Sequence, residues 1–371
     1  MRLKKRWEKI FVASATLVIL AMLSVLMIRL VPEPPEGDLK YARELLSEAE
    51  KINAHAYSGD IFSEAKAMYD SAMYYWQKEN KRFIYFRNFD RVSLFAELSA
   101  DKAEEAMKKS KINSGNLQLK LRHQIDTLNQ LLKVLDKYFY HYPLSEEIRH
   151  NISRGRLLLK EAEISFRKGD FISAGKKAEE SENLLVPSYN TANENLKEYF
   201  ESSPLWKKWA DRTIRESRQN SSHAIIVDKF ARKCIVYSSG LKKYEFIVEL
   251  GRNWVGHKRE RGDDATPEGL YRIIKKIDGG RTKYYKALLI NYPNESDLEE
   301  FRRSKEKGLL PSSARIGNLI EIHGGGGRGA DWTEGCVALT DTDMDVLYRL
   351  VQVGTPVTIV GSLLSLEEVL K

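Results

Sequence analysis

His323 and Cys336 are the two residues of this 371-residue chain whose types and spacing point most directly to covalent chemistry. A thiol attacks an amide carbonyl only as its thiolate, so a neighbouring imidazole that takes the thiol proton makes a nucleophile. The two residues lie thirteen positions apart, which suits a strand, a loop and a return better than one helix. The glycines between them let backbone approach a bound substrate closely and adopt positive φ. Gly335, directly before the cysteine, is expected to leave the amides of Gly335 and Cys336 free to face a developing oxyanion. On residue type alone a plainer reading stays open, in which Cys336 is a small buried hydrophobe and His323 a satisfied core histidine.

These residues need a scaffold, and residues 220–361 read as a β-rich domain, a small sandwich or barrel. Ile225-Ile226-Val227-Asp228-Lys229 and Cys234-Ile235-Val236-Tyr237 have strand character and precede a hairpin turn at Ser239-Gly240. Asp343, Met344, Val346, Leu347, Leu350 and Val351 recur at helical spacing, with an N-cap expected within Asp341-Thr342-Asp343. Thr266-Pro267-Glu268-Gly269 reads as a turn feeding a strand, and His257 as a surface loop residue.

The order of these segments resembles the L,D-transpeptidase catalytic domain, also called YkuD-type. The likeness runs through Gly251, Gly262 to Ile273, Ala287 to Pro293, Ile320-Glu321-Ile322-His323-Gly324, Asp331-Trp332-Thr333-Glu334-Gly335-Cys336 and Gly354 to Ile359. By that resemblance Cys336 is the nucleophile, His323 the general base, and Gly324 orients the histidine through its carbonyl. Many members of the family carry a histidine before the Gly-Cys pair and an arginine or asparagine two positions after the cysteine. Here those positions hold Glu334 and Ala338, so this chain is similar to the subgroup with a Trp-Thr-x-Gly-Cys segment. Arg328 is then the candidate to hold the substrate carboxylate, with a solvated loop arginine as the alternative. Trp332 either lines the donor groove or packs beneath the loop, Thr333 orients the loop through its hydroxyl, and Glu334 bears on acceptor choice.

The resemblance implies a peptidoglycan stem tetrapeptide as donor, cleaved on the L-centre side of its terminal D-alanine through a Cys336 acyl-enzyme. An amine acceptor gives a 3→3 cross-link or an attached protein, and water gives a hydrolase. A non-catalytic wall-binding or scaffold protein is the other reading. No cofactor is expected. The histidines of the domain, His223, His257 and His323, lack metal-ligand spacing, so no metal is expected either.

Elsewhere the chain is α-helical, which makes the overall fold class α+β. Residues 1–9 hold five basic residues against one glutamate, and Ile10 to Ile28 carry no charge. At about 1.5 Å per residue such a run matches a hydrocarbon core. Residues 10–31 are therefore read as a transmembrane signal anchor rather than a cleaved signal peptide, with residues 1–9 cytoplasmic and the remainder in the periplasm or extracytoplasmic space. Residues 32–37 are a proline-rich spacer. Residues 38–203 repeat apolar residues at helical spacing, with breaks expected at Ser58-Gly59-Asp60, Asn88-Phe89-Asp90, Asn113-Ser114-Gly115, Tyr142-Pro143 and Lys168-Gly169-Asp170. Two of these breaks loosely resemble tetratricopeptide half-repeats. The aromatic residues here, among them Tyr74, Tyr75, Trp76, Phe83, Phe86, Phe139 and Tyr140, are read as core, with a partner-binding face as the alternative. Residues 362–371 form a tail.

A net charge of +8 in a chain that is 42% hydrophobic and 30% charged lacks the basic stripe of a nucleic-acid binder, so an anionic wall polymer is the expected counterpart. Of the two cysteines, Cys234 is expected to face the core and Cys336 to stay free, without a disulfide between them.

Overall fold

The computed structural model describes the backbone of residues 2–371 and the side chains of residues 10–371. The basic side chains of residues 1–9 therefore lie outside the described residues. The chain forms two units, one of residues 1–126 with 160–178, the other of 127–159 with 179–371.

The first unit holds α1 (Arg2–Arg29), α2 (Glu36–Lys51), the single turn α3 (Ala54–Tyr57), α4 (Gly59–Asn80) and the first part of α5 (Asp90–Phe139). Within α1, Ile10–Arg29 has a mean hydropathy of 2.6 and is long and apolar enough to cross a membrane. Along α2, Leu39, Ala42, Leu45 and Ala49 form one buried stripe. Leu39, Ala42 and Leu45 meet a core rich in small residues, Ala65, Ala72, Ala96, Ala100 and Ala103, which lets the helices approach closely, and Ala49 packs with Ala54 and Ala106. Close approach brings the Ser99 hydroxyl to the Ala65 carbonyl at 2.8 Å, so the polar group is satisfied inside the core.

The break expected at Asn113-Ser114-Gly115 is absent, because α5 runs unbroken for fifty residues. There the side chains make their bonds without disturbing the helix. Asn113 Nδ2 donates to the Tyr57 carbonyl at 2.7 Å and Ser114 Oγ to the Lys111 carbonyl at 3.1 Å. A single glycine inside a long helix costs only about 1 kcal/mol, too little to end it. At the other expected positions the helices do end.

The second unit contains the end of α5, the start of α6 (Glu146–Arg167), the end of α7 (Phe171–Phe200) and α8 (Ser203–Gln219), followed by a β domain. Its strands are β1 (His223–Asp228), β2 (Lys233–Ser238), β3 (Leu241–Ile247), β4 (Gly269–Asp278), β5 (Lys286–Ile290), β6 (Glu321–His323), β7 (Val337–Ala338) and β8 (Pro356–Val360). Their order is β3-β2-β1-β8-β4-β5-β6-β7. The pairings β1 with β8 and β6 with β7 are parallel, and the rest are antiparallel. Three helices complete the domain, α9 (Glu295–Glu306), α10 (Asp341–Leu350) and α11 (Leu366–Val369). Ser239 and Gly240 both have positive φ and form the expected tight hairpin between β2 and β3. The cap of α10 is Thr340, one residue before the expected region, its hydroxyl accepting from the Asp343 amide at 3.2 Å.

A buried polar knot ties the helices of this unit to the sheet. Glu268 Oε1 accepts from Lys229 Nζ and from the Tyr199 hydroxyl, both at 2.8 Å, and its Oε2 accepts from Trp206 Nε1 at 3.0 Å. The Lys229 ammonium also donates to the carbonyls of Gly256 and Thr266, so all three of its protons are matched. Unpaired, either charge would be costly at this depth; paired and fully bonded, they fix how α7 and α8 meet β4. Trp206 lies against Gly361, where a Cβ would come within 2.3 Å of the indole ring, so this site requires glycine. The turn at Thr266 to Gly269 does lead into β4, and His257 does lie in a loop but is half-buried. Its Nδ1 accepts the Glu268 amide at 3.0 Å and its Nε2 lies 3.5 Å from Asp297 Oδ1.

Candidate active site

The parallel pairing of β6 with β7 brings the histidine and cysteine into one neighbourhood. Ile322 pairs with Val337 and His323 with Ala338. Continued by one step, that register sets Cys336 beside Glu321, and the Glu321 amide lies 3.4 Å from Cys336 Sγ. Alternation along β6 puts Glu321 and His323 on the same face of the strand.

His323 is fully buried. Its Nδ1 lies 2.6 Å from the Gly324 carbonyl oxygen, which can only accept, so Nδ1 carries the proton and the neutral ring leaves Nε2 bare. Among the described residues, that Nε2 is the one buried side-chain polar atom without a hydrogen-bond partner. Buried acceptors are rarely left unmatched, so this bare nitrogen calls for an explanation. Burial pulls the imidazole pKa down to about 4, against the opposing Gly324 hydrogen bond and with help from the positive charges of Lys283 and Arg328.

Cys336 is half-buried and free, and Cys234 is fully buried and free. Burial pushes the Cys336 thiol up to about 11, despite the Glu321 amide and the cations Lys283 and Lys258, which favour the thiolate. The two shifts run in opposite directions from an ion pair. At neutral pH these shifts favour the thiol and the neutral imidazole over a thiolate–imidazolium pair.

The loop carrying Cys336 is pinned from several sides. Asp331 Oδ2 accepts from Arg232 Nη2 at 2.6 Å, and its Oδ1 accepts from the Leu250 amide at 2.8 Å. Arg232 also donates to the His141 carbonyl, in the connection between α5 and α6, and its guanidinium lies 5.0 Å from the centre of the Trp254 ring. Glu249 accepts from Trp332 Nε1 and from the Gly329 amide, both at 2.7 Å. Thr333 is buried, and its hydroxyl donates to the Cys336 carbonyl at 2.7 Å while accepting the Gly335 amide at 3.2 Å. The Gly335 amide is thus engaged within the loop, contrary to the expectation that it is free. Gly335 has φ +126°, and a Cβ there would meet the Ala265 carbonyl at 2.4 Å, so no other residue fits.

Arg328 is exposed and sits over Trp332, its guanidinium carbon 3.5 Å from the ring centre. Glu334 is exposed. Ala338, in the strand, is fully buried and its backbone bonds to Glu249. A long polar side chain at that position would have to leave the core.

Sequence reasoning missed Tyr284, which stacks on His323 with ring centres 3.5 Å apart and planes 6° from parallel. The Lys283 ammonium sits 4.9 Å from the Tyr284 ring. It is held charged above the ordinary lysine range, first by a hydrogen bond to Tyr284 and further by Cys336 and Glu334. Both residues lie between β4 and β5, and nothing in the local pattern ties that connection to His323. Among the described residues no group of three or more His, Cys, Asp or Glu side chains is arranged to hold a metal ion.

Residues 222–359 match the family model of the YkuD L,D-transpeptidase catalytic domain, and the β domain of this chain is of that class. Solved structures that part of the chain is similar to include Bd1075 of Bdellovibrio bacteriovorus, at 23% identity over 41% of this chain and 53% of that one, with a TM-score of 0.31. An L,D-transpeptidase from Mycobacterium smegmatis is 14% identical over 38% of this chain and 58% of its own, at a TM-score of 0.25. An Enterococcus faecium L,D-transpeptidase is 15% identical over 38% and 50%, also at 0.25. The chain therefore spans little more than half the length of these structures. No curated protein matches it.

Proposed function

We propose that the chain is a membrane-anchored, extracytoplasmic L,D-transpeptidase that acts on peptidoglycan stem peptides through a Cys336 acyl-enzyme. The observation that carries this reading is the bare, buried Nε2 of His323 on the strand beside Cys336, within a domain of the matching family. His323 Nε2 removes the thiol proton as Sγ attacks the carbonyl of the third stem residue. The C–N bond to the terminal D-alanine breaks, and the imidazolium returns the proton to the leaving amine.

The Cys336 amide is the proposed oxyanion donor, joined by that of Gly335 once it turns from Thr333. One such donor is worth about 3 kcal/mol of barrier. Gly324 keeps the imidazole in the productive tautomer, as a carbonyl acceptor on Nδ1 must. An acceptor amine then attacks the thioester carbonyl while His323 takes its proton, the C–S bond breaks, and the imidazolium returns that proton to the Cys336 sulfur. Arg328 is proposed to hold the donor carboxylate beside Trp332. The apolar stretch of α1 is proposed as the membrane anchor.

The test is incubation of the purified full chain with disaccharide-tetrapeptide, followed by mass spectrometry, with Cys336→Ala as control. A dimer lacking one D-alanine supports transpeptidation. Trimmed tripeptide alone moves the assignment to a hydrolase of the same fold, and products that survive Cys336→Ala overturn the mechanism.

A further inference from the structure

The turn between α4 and α5 ends in an aromatic cluster facing solvent. Phe83 is 66% exposed, Phe86 68% and Ile84 39%. The cluster is not a loose loop. Ile84–Phe86 form a 3₁₀ turn closed by the Phe86 amide on the Phe83 carbonyl at 2.9 Å, and the Phe83 ring lies 5.7 and 5.9 Å from those of Tyr85 and Phe86. Arg87 donates to the carbonyls of Asn80 and Arg82, and the Asn88 amide donates to Glu79. Below it, Trp76 and Phe89 join the helical core. The fold therefore holds these apolar rings outward, where water alone would disfavour them.

The position of the turn within its unit names its occupant. α2 leads through α3 directly into α4, the two long helices pack side by side, and Ala49 near the end of α2 shares a cluster with Ile61 and Phe62 near the start of α4, so they run antiparallel. The start of α2 therefore lies at the same end of the helices as the turn. Since α4 is six residues longer than α2, the turn projects roughly 9 Å beyond the start of α2. From Arg29, the last residue of the apolar α1, only residues 30–35 intervene before α2 begins. Six residues span at most about 20 Å, so the aromatic turn is tethered within reach of the surface that α1 enters. Between Lys78 and Arg91 the sequence holds five basic residues against two carboxylates. Aromatic rings flanked by arginine and lysine are the composition that settles at a lipid headgroup boundary.

We infer that Phe83, Ile84 and Phe86 insert into the outer leaflet of the membrane that α1 spans, with Lys81, Arg82 and Arg87 at the headgroups. This rests on the anchor reading of α1. Two attachments hold the first helical unit against the bilayer, where a single point of attachment leaves it free to swing.

The full chain carrying Cys336→Ala and Phe86→Cys is labelled with an environment-sensitive fluorophore; Cys234 is fully buried and stays unlabelled. It is reconstituted into vesicles of equal parts phosphatidylethanolamine and phosphatidylglycerol, with lipids bearing a nitroxide near the headgroup. Label at Ser63→Cys, exposed and roughly 25 Å away along α4, is the control, and Phe83→Cys provides a second site on the turn. The inference predicts blue-shifted emission that is largely lost to the nitroxide at positions 83 and 86, and none of this at 63. Labels at 83 and 86 that stay unquenched while the protein resists carbonate extraction overturn the inference and leave the anchor standing. Release by carbonate overturns both. A blue shift in native membranes without quenching in pure lipid assigns the turn to a membrane protein instead and also overturns it.

Discussion

The Tyr284 ring lies parallel to the His323 imidazole, 3.5 Å from it, and covers one face of that ring. This contact contributes to the burial that depresses the histidine to about 4. Replacing Tyr284 with alanine should admit water and move the acid limb of kcat/KM upward, toward the ordinary histidine value near 6.5. Tyr284→Phe keeps the stack and should keep the wild-type profile. A profile unchanged by Tyr284→Ala would remove the ring from the account of the pKa.

The neutral resting pair makes a prediction about reactivity. Iodoacetamide attacks thiolate, so Cys336 in the native enzyme should alkylate slowly at pH 7 and progressively faster toward pH 11. Cys234, pushed up to about 12 by burial, should remain unmodified until the protein unfolds. Peptide mapping after timed alkylation separates the two. Rapid, pH-independent labelling of Cys336 from pH 6 upward would instead mean a standing thiolate–imidazolium pair.

The same histidine should contribute to the pH dependence of stability. Its folded pKa of about 4 lies below the unfolded value near 6.5, so between these limits the unfolded chain binds the extra proton. The contribution is therefore complete above about pH 6.5 and is lost as the pH falls toward 4, by up to about 3 kcal/mol. Denaturation of the full chain at pH 7 and at pH 4.5, followed at the β domain, should show a smaller loss on acidification in His323→Asn than in wild type. Equal losses would locate the acid sensitivity elsewhere.

Much of this was legible in the sequence, and what was not has physical causes. His323, Gly324 and Cys336 were singled out through the ordered motifs that resemble the family, since residue type alone leaves a plainer reading open; what the structure adds is that the first and last of them lie on and beside adjacent strands. The α10 pattern and the core placement of Cys234 followed from periodicity. The Asn113 break failed because propensity cannot see that Tyr57 offers Asn113 an acceptor across the bundle. Tyr284, Glu249 and Arg232 escaped because each reaches the site only through tertiary folding, from connections and strand ends remote in sequence. The aromatic residues of the helical region divide: Phe139 is buried, whereas Phe83, Phe86 and Tyr140 are exposed, a distinction hydrophobicity alone does not make.

Arg232 and Asp331 offer a test of whether the pinned loop matters for chemistry. Asp331→Asn weakens the pairing with Arg232 and should lower kcat/KM by about 10- to 100-fold through misplacement of Cys336, as small displacements at a reacting group do. Hydrogen exchange should quicken across residues 328–336 and stay unchanged in β1 and β8. Full activity with a loosened loop would detach the pin from catalysis.

Arg328 tests substrate binding separately. Arg328→Ala should raise KM for a stem tetrapeptide with kcat little changed, because an ion pair made equally in ground and transition states is uniform binding. An unaltered KM would leave Arg328 as a partner of Trp332 only.

The central claim is a covalent bond between Cys336 and the stem peptide. Mixing the enzyme with disaccharide-tetrapeptide, quenching in acid within the first turnover and mapping the intact adduct by mass spectrometry reads that bond directly. The account predicts a gain equal to the tripeptide-bearing donor on the Cys336 peptide, absent in Cys336→Ala and trapped more slowly in His323→Asn. Product formation without any adduct on Cys336, or an adduct on another residue, would contradict it.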